Sequence, residues 1–456
     1  MAAPSTAPGR GGTFRLTDRE LGPDGRAEFA FDLDGESFVE RAHLPEPLVP
    51  LPPGAVDLLL DVCHLAMGTS YFKLSAPRRL VVERPVQEPV ARLAGALYDE
   101  GLREMAYRNG LPVPLPTELV WHEAGRRADD HRRVAPGRDG GTGPGTGLLV
   151  PVGGGKDSAA ALALLTDAVG FTVSPTPAHF RQAAAAHVPL LSAERVLDPR
   201  LEAASGRPGA FNGHIPVTAV NSVLGALVAA GQGLWGVAMG NERSANEPTV
   251  LVDGTPVNHQ YSKSLGFERL LSRALAEAGV GYFSVLRQLS ELAIAGMVAG
   301  RPELHRSFLS CNRAFRRARP AEEEQTWCLE CPKCRFTFLC FAVFMSPEQA
   351  EVVFGGNPLA DSHAAEGFAG LWDGGAKPFD CVGERAESAA AMAWLGQARA
   401  WRDLPVVKEL AGPAAAFAVR SGTTVEDLLE PQGPHLAPAD LADLVARAAK
   451  QVQPRR

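Results

Sequence analysis

An α/β fold on a parallel sheet, with an α+β module before it and a cysteine-rich, helical part after it, is what this sequence predicts. Three observations lead there. Residues 147–152, Gly-Leu-Leu-Val-Pro-Val, form a short apolar strand that runs through Gly153, Gly154 and Gly155 into an alanine-rich helix over 159–168. Strand and helix segments keep alternating as far as Met239, which implies a parallel sheet covered by helices on both faces. Downstream, Cys328, Cys331 and Cys334 are spaced C-x₂-C-x₂-C, with Cys311 before them and an apolar helix after.

The 456 residues suffice for about three structural units, at roughly 150 residues each, and every unit of that size buries a core. A short tail over 1–12 is small, rich in Pro and Gly, and has no apolar stretch to act as a secretory signal. Residues 13–45 alternate around Gly22-Pro23-Asp24-Gly25 and read as a β-hairpin. Helical spacing over 56–67 and 89–108 flanks a strand at 79–83, completing an α+β module over 13–122. A run rich in Gly, Arg, Asp and His over 123–146 cannot bury enough apolar surface to fold and reads as a linker.

The nucleotide-binding unit is expected over 147–310, with further strands at 171–174 and 234–239 and helices at 178–186 and 217–230. Residues 208–241 carry no Asp, Glu, Lys or Arg, a length that invites a membrane test. Pro208, Asn212, His214, Pro216, Asn221 and Gln232 would leave polar groups unsatisfied in lipid, so a buried helix and strand are expected instead. The cysteine segment occupies 311–345, and the chain from 346 to 456 is helical and Ala-rich.

With 45 Lys and Arg against 52 Asp and Glu the net charge is −7, which argues against a nucleic-acid partner. Seven cysteines, odd in number and bunched, fit a reduced compartment, and with the polar residues of the uncharged segment they lead to an expectation of a cytoplasmic protein with no membrane partner.

Three glycines after a strand let backbone N–H groups approach phosphate oxygens, and the helix that follows adds its positive end. The loop is neither a Walker A motif, because Val150 stands at the first glycine and Asp157 follows Lys156, nor a dinucleotide fingerprint, because Ser158 replaces the last glycine. A carboxylate inside the loop repels phosphate unless a divalent cation lies between. Asp157 is therefore read as a Mg²⁺ ligand and Lys156 as a phosphate contact, with Gly153, Gly154, Gly155 and Ser158 around the nucleotide. The alternative is a glycine turn with a capping Asp or Ser.

Asn241 and Glu242 end a strand, where side chains of an open sheet face the ligand, and are expected at the cofactor. Arg243, His214, His259 and Lys263 lie in polar clusters that also follow buried elements. Cys311, Cys328, Cys331 and Cys334 suit a closed Zn²⁺ site, or an iron–sulfur cluster on the same ligands; zinc is preferred because no ferredoxin-like Cys-Pro tail closes the run. Cys63 and Cys340 sit on apolar faces and read as core.

Strand followed by Gly-Gly-x-Asp-Ser resembles the PP-loop of ATP pyrophosphatases, with Gly153 where that family usually has Ser. Taken with Asn212 to Ser222, Asn241 to Ala245, Val257 to Lys263, Trp327 to Met345, Ala106 to Gly110 and Cys381 to Glu384, the chain is similar to the MurL family of UDP-N-acetyl-α-D-muramoyl-L-alanyl-L-glutamate epimerases. The likeness weakens over 1–12 and beyond about residue 400. It implies a PP-loop ATP-binding domain and a small-molecule substrate, the UDP-linked muramoyl dipeptide. It also implies use of ATP and Mg²⁺, with AMP and diphosphate released as the terminal L-Glu is inverted during peptidoglycan precursor synthesis.

The chemistry is coherent. A Cα–H beside an ionised carboxylate resists deprotonation, and adenylating the carboxylate removes that charge and lets the carbonyl accept electrons. His214 or His259 and the Cys381 thiol are acid/base candidates, with Lys263 or Arg243 stabilising the oxyanion. Alternatives are an amide- or nitrile-forming ligase like the 7-cyano-7-deazaguanine synthases, a tRNA sulfurtransferase, and a nucleotide sensor without turnover. A basic RNA-binding module, which the sulfurtransferase requires, does not fit the −7 balance.

Overall fold

The computed structural model describes residues 12–124, 147–313, 326–374 and 376–455. The expected tail up to residue 11 and the linker from 125 to 146 lie outside the described residues.

The N-terminal part begins with three antiparallel strands, β1 (Thr13–Leu21), β2 (Arg26–Leu33) and β3 (Glu36–His43), rather than a single hairpin. Asp34-Gly35 supplies the second turn, with both residues at positive φ. Helix α1 (Pro53–Phe72) is buried over most of its length and lies against the aromatic face of this meander, where Phe14, Phe31 and Tyr71 stack and Phe72 meets Phe14 edge-on. Strand β4 (Arg79–Val82) follows, then α2 (Glu88–Tyr98), α3 (Arg103–Arg108) and β5 (Glu118–Val120). The helix expected over 89–108 thus breaks at 99–102. Gly101 sits there because a Cβ would meet the Pro216 ring at 3.3 Å.

Next come β6 (Leu148–Pro151), α4 (Lys156–Leu164), β7 (Val169–Val173), α5 (Pro177–Ala185), β8 (Leu190–Val196), α6 (Arg200–Ser205), α7 (Val217–Gly231) and β9 (Gly236–Met239). The uncharged stretch is therefore a buried helix and a buried strand, as expected. No helix among the described residues is long and apolar enough to cross a membrane. A small hairpin, β10 (Val250–Val252) and β11 (Thr255–Val257), leads to α8 (Leu265–Ala276), β12 (Gly281–Ser284) and α9 (Glu291–Ala299). Among the described residues seven α-helices follow: α10 (Pro332–Ala342), α11 (Pro347–Phe354), α12 (Ala365–Ala369), α13 (Arg385–Gln397), α14 (Pro405–Ser421), α15 (Val425–Leu429) and α16 (Ala439–Ala449).

Among the described residues, all strands except the β10–β11 hairpin join one ten-stranded sheet, in the order β12-β9-β6-β7-β8-β3-β2-β1-β4-β5. The β6–β9 and β12 half is parallel, and β8 closes it by pairing antiparallel with β3, Arg41 opposite Val196. Alternation along the strands feeds two cores. Leu149, Phe171, Val237 and Tyr282 face one core with α1, α2, α7 and α8, whereas Leu148, Val150, Ala238 and Phe283 face the other with α4, α9, α10 and α13. The class is α/β with a mixed, mostly parallel sheet.

Candidate active site

β6 and β9 are adjacent strands whose connections leave in opposite directions along the sheet, and ligands of open α/β sheets bind outside the carboxyl ends of such a pair. The glycine loop leaves β6 at this point. Gly154 has φ +76°, a backbone state that favours glycine. Its carbonyl accepts from the Leu309 amide at 2.7 Å, Gln182 Nε2 donates to the Gly155 carbonyl at 2.9 Å, and His179 hydrogen-bonds to the Gly153 backbone. Across the crevice Gly240 passes so close that a Cβ would lie 3.0 Å from the Asp157 carbonyl. The Ser158 hydroxyl faces the scaffold, 2.7 Å from Gln182 Oε1 and 3.1 Å from the Gly155 carbonyl.

Three carboxylates converge from the ends of β6, β9 and β12. Asp157, Glu242 and Glu291 bring oxygens within 4.8 Å of one another. Lys156 Nζ bonds to both Asp157 and Glu291. Burial favours losing the lysine proton, but Asp157, Glu291 and Glu242 outweigh it and hold the ammonium charged. Burial works to raise Asp157, and Lys156, Lys333 and Lys263 bring it below its ordinary value. Burial and the neighbouring Glu291 push Glu242 up to about 7. Both Glu242 oxygens and Glu291 Oε1 are buried with no hydrogen-bond partner among the described residues. Orphaned carboxylate oxygens clustered beside an Asp are a donor set that fits a hard divalent cation.

A second cluster lies alongside. His259 Nδ1 is 2.5 Å from Glu104 Oε2, the Cys381 thiol hydrogen-bonds to His259, and the His214 ring centroid is 4.4 Å from that of His259. Burial alone raises a thiol, as it does at Cys63 and Cys340. At Cys381 that effect is overcome by Lys263, the His259 hydrogen bond and Lys333, and the thiol falls to about 6. His259 goes the other way, to about 9, because Cys381 and Glu104 outweigh its burial. Burial and the charge of His259 lower His214 to about 4. At neutral pH the pair is thiolate and imidazolium, with a carboxylate behind the ring.

Lys263 joins the clusters: burial opposes its charge, but Cys381, Glu242 and Asp157 together raise it. Arg287 holds this geometry from beneath. Its buried guanidinium pairs with Glu268 at 2.7 Å and donates to the carbonyls of Glu242 at 2.5 Å and Lys263 at 2.6 Å. Gln260 Nε2 donates to the Val382 carbonyl at 3.1 Å and ties the His259 loop to the Cys381 loop. Arg243 keeps a buried Nη1 that has no hydrogen-bond partner among the described residues, available for an anion.

The expected residues Lys156, Asp157, Glu242, His214, His259, Lys263 and Cys381 are therefore brought together. Glu104, Glu291, Lys333 and Arg287 belong with them and were not anticipated. Glu291 follows Ser290, an N-cap, and reads as an ordinary first-turn acid. Glu104 looks like a surface helix residue until the break after α2 turns it inward; only its place beside the 106–110 stretch hinted at a role.

Cys311, Cys328, Cys331 and Cys334 form a cluster of their own, sulfurs within 4.8 Å of one another, and none of the cysteines is in a disulfide. Cys331 caps α10, its sulfur accepting from the Cys334 amide at 3.4 Å, and Cys328 accepts from the Cys331 amide at 3.4 Å. Hydrogen bonding to Cys311 raises Cys331 to about 11 and Cys334 further. Four crowded thiols of this kind fit a thiophilic cation that would take them as thiolates.

Family models described as the MurL N-terminal domain and the MurL C-terminal domain match residues 6–285 and 307–424. A Micromonospora protein is 41% identical over 443 residues, 93% of this chain and 95% of its own. Proteins of Salinispora tropica and Xanthomonas oryzae pv. oryzae are 40% and 37% identical, covering 92% and 91% of this chain and 92% of each relative. All three carry the name UDP-N-acetyl-alpha-D-muramoyl-L-alanyl-L-glutamate epimerase. No solved structure matches the chain. With both family models matched in order and near-full-length relatives at this identity, the chain belongs to the MurL family.

Proposed function

We propose that this protein inverts the terminal L-glutamate of UDP-N-acetylmuramoyl-L-alanyl-L-glutamate at the expense of ATP, through a carboxyl adenylate, in cytoplasmic peptidoglycan precursor synthesis. The observation that carries the reading is the meeting, in one crevice, of a cation-ready carboxylate trio beside a glycine loop with a thiolate–imidazolium pair backed by a carboxylate. The first cluster suits a nucleotide and the second suits chemistry at a carbonyl and its α-carbon.

Asp157, Glu242 and Glu291 would hold Mg²⁺, which neutralises phosphate charge when bound. Glycines 153–155 and Lys156 would receive the phosphates, as in a PP-loop. Groups of the Cys381, His259 and His214 cluster take and return the Cα proton, while Lys263 and Arg243 stabilise the enolate oxygen. The four cysteines would hold a structural Zn²⁺. Leu309 and Ser310, just before Cys311, contact the glycine loop, so that metal would brace the nucleotide site.

The test is incubation with ATP, Mg²⁺ and the UDP-linked dipeptide, scoring AMP and the chirality of Glu after hydrolysis. AMP and D-Glu together are expected. D-Glu formed without ATP would refute the adenylate, and AMP release that requires added ammonia would mark an amide-forming ligase.

A further inference from the structure

Cys381 is placed for more than proton transfer. A thiol, a histidine hydrogen-bonded to it and a carboxylate on that histidine make up the arrangement that activates cysteine nucleophiles toward acyl groups. Cys381 is half-buried as a residue, in a loop anchored by Gln260 and by Lys377, whose Nζ donates to the Gly383 carbonyl at 3.3 Å. Lys263 and Lys333 both act on it, as they both do on Asp157. We propose that Cys381 takes the activated glutamyl carbonyl from AMP, so that inversion occurs on a Cys381 thioester rather than on the adenylate; the proposal rests on the adenylation reading above.

Magnitudes favour a nucleophile over a carbon-acid base. The thiol stands at about 6 against an ordinary 9.0. That fall costs a base about a thousandfold in equilibrium strength, of which the larger thiolate fraction gives back only about 90-fold, whereas nucleophilicity, with a Brønsted slope near 0.4–0.5, falls only about 15- to 30-fold. Meanwhile the thiolate fraction at pH 7 rises from about 1% to about 90%, which more than restores the rate of attack. A thioester also suits the task. Its carbonyl is poorly stabilised by sulfur, so its α-hydrogen is acidic, and it resists water longer than a mixed anhydride with phosphate.

The bonds balance as follows. The thiolate sulfur bonds to the carbonyl carbon, and the carbon–oxygen bond to AMP breaks with its electron pair on AMP. No proton moves in that step. His259 keeps its proton in that step, and His214, lowered by burial and by the charge of His259, is neutral. His214 then takes the Cα proton from one face and His259 returns its own on the other, which leaves His259 neutral and His214 charged until it gives its proton to solvent. Finally His259 accepts a proton from water as the water oxygen bonds to carbon. The carbon–sulfur bond breaks onto sulfur, restoring the thiolate–imidazolium pair, and the product acid ionises.

The experiment uses the full chain with ATP, Mg²⁺ and UDP-N-acetylmuramoyl-L-alanyl-L-glutamate, quenched in acid at intervals through turnover and read by mass spectrometry. The expected result is a substrate-minus-water adduct on the Cys381 peptide, discharged by hydroxylamine. Cys381→Ala is expected to keep ATP–diphosphate exchange while losing D-Glu formation by at least ~10³-fold. Exchange in the wild type with no adduct at any quench time, or D-Glu formation by Cys381→Ala at the wild-type rate, overturns the thioester and leaves adenylation standing. Absence of exchange in the wild type overturns adenylation, and the thioester with it. The wild-type measurement decides even if the variant fails to fold.

Discussion

Glu104 is the group whose removal tests the site most directly. It lies 2.5 Å from His259 Nδ1, and with Cys381 it holds the imidazolium up to about 9, from an ordinary 6.5, against burial. His214, which is uncharged at neutral pH, and Cys381 are the other titratable groups at the ring, and Lys263 acts on the Cys381 thiolate. Glu104→Gln keeps an acceptor oxygen and removes the charge. A charge-assisted hydrogen bond is worth about 1.5–3 kcal/mol, or roughly 1–2 pKa units, so His259 should titrate between about 7 and 8 in the variant. The basic limb of the turnover profile should move with it, giving a loss of about 3- to 25-fold at pH 8.5 but no more than about twofold at pH 7. Histidine-labelled NMR reads the midpoint and D-Glu release reads the limb. A His259 midpoint still near 9, or an equal loss at both pH values, would show that Glu104 does not sustain the imidazolium.

Further outcomes follow from other parts of the structure. Glu242→Gln and Glu291→Gln should each raise the Mg²⁺ needed for half-maximal ATP–diphosphate exchange by about tenfold or more, read by metal titration. Arg287→Met strands Glu268 in the core and should cost about 3–5 kcal/mol in urea unfolding. Adding Glu268→Leu should restore much of that stability but not activity, because the Glu242 and Lys263 carbonyls still lack their donor. Cys331→Ser should lower the zinc content of purified protein from about one equivalent per chain and raise the KM for ATP. Buried His64 stays neutral down to about 3. The unfolded chain takes up that proton first, so stability is lost as pH falls below about 6.5, by roughly 2 kcal/mol between pH 7 and 5. His64→Phe should flatten that dependence in urea titrations at the two pH values.

Local chemistry made part of this legible in advance. Gly153 to Ser158 announce a strand-loop-helix because glycine, lysine and aspartate have few other uses together at a strand end, and the cysteine spacing is set by reach to a common centre. Long-range placement was not legible. The register that seats β8 beside β3 depends on which edge is left open, and neither strand's alternation encodes that. Arg287 is a single cation among mostly apolar neighbours and Lys333 stands between two cysteines with Arg335 two residues on, and their roles appear only when Asp157, Cys381, Glu242 and Lys263 arrive from other elements. Glu104 needed the bend at Gly101, which comes from close approach to Pro216, more than a hundred residues on.

The seam between β3 and β8 bears on how the gene can be cut. An expression fragment starting at residue 147 would leave the outer edge of β8 without its neighbour, a row of unpaired amides and carbonyls that invites other chains. It would also lack Glu104, leaving His259 without its anchor. The glutamate-bearing segment and the nucleotide-facing segment must therefore be inherited, expressed and purified as one polypeptide.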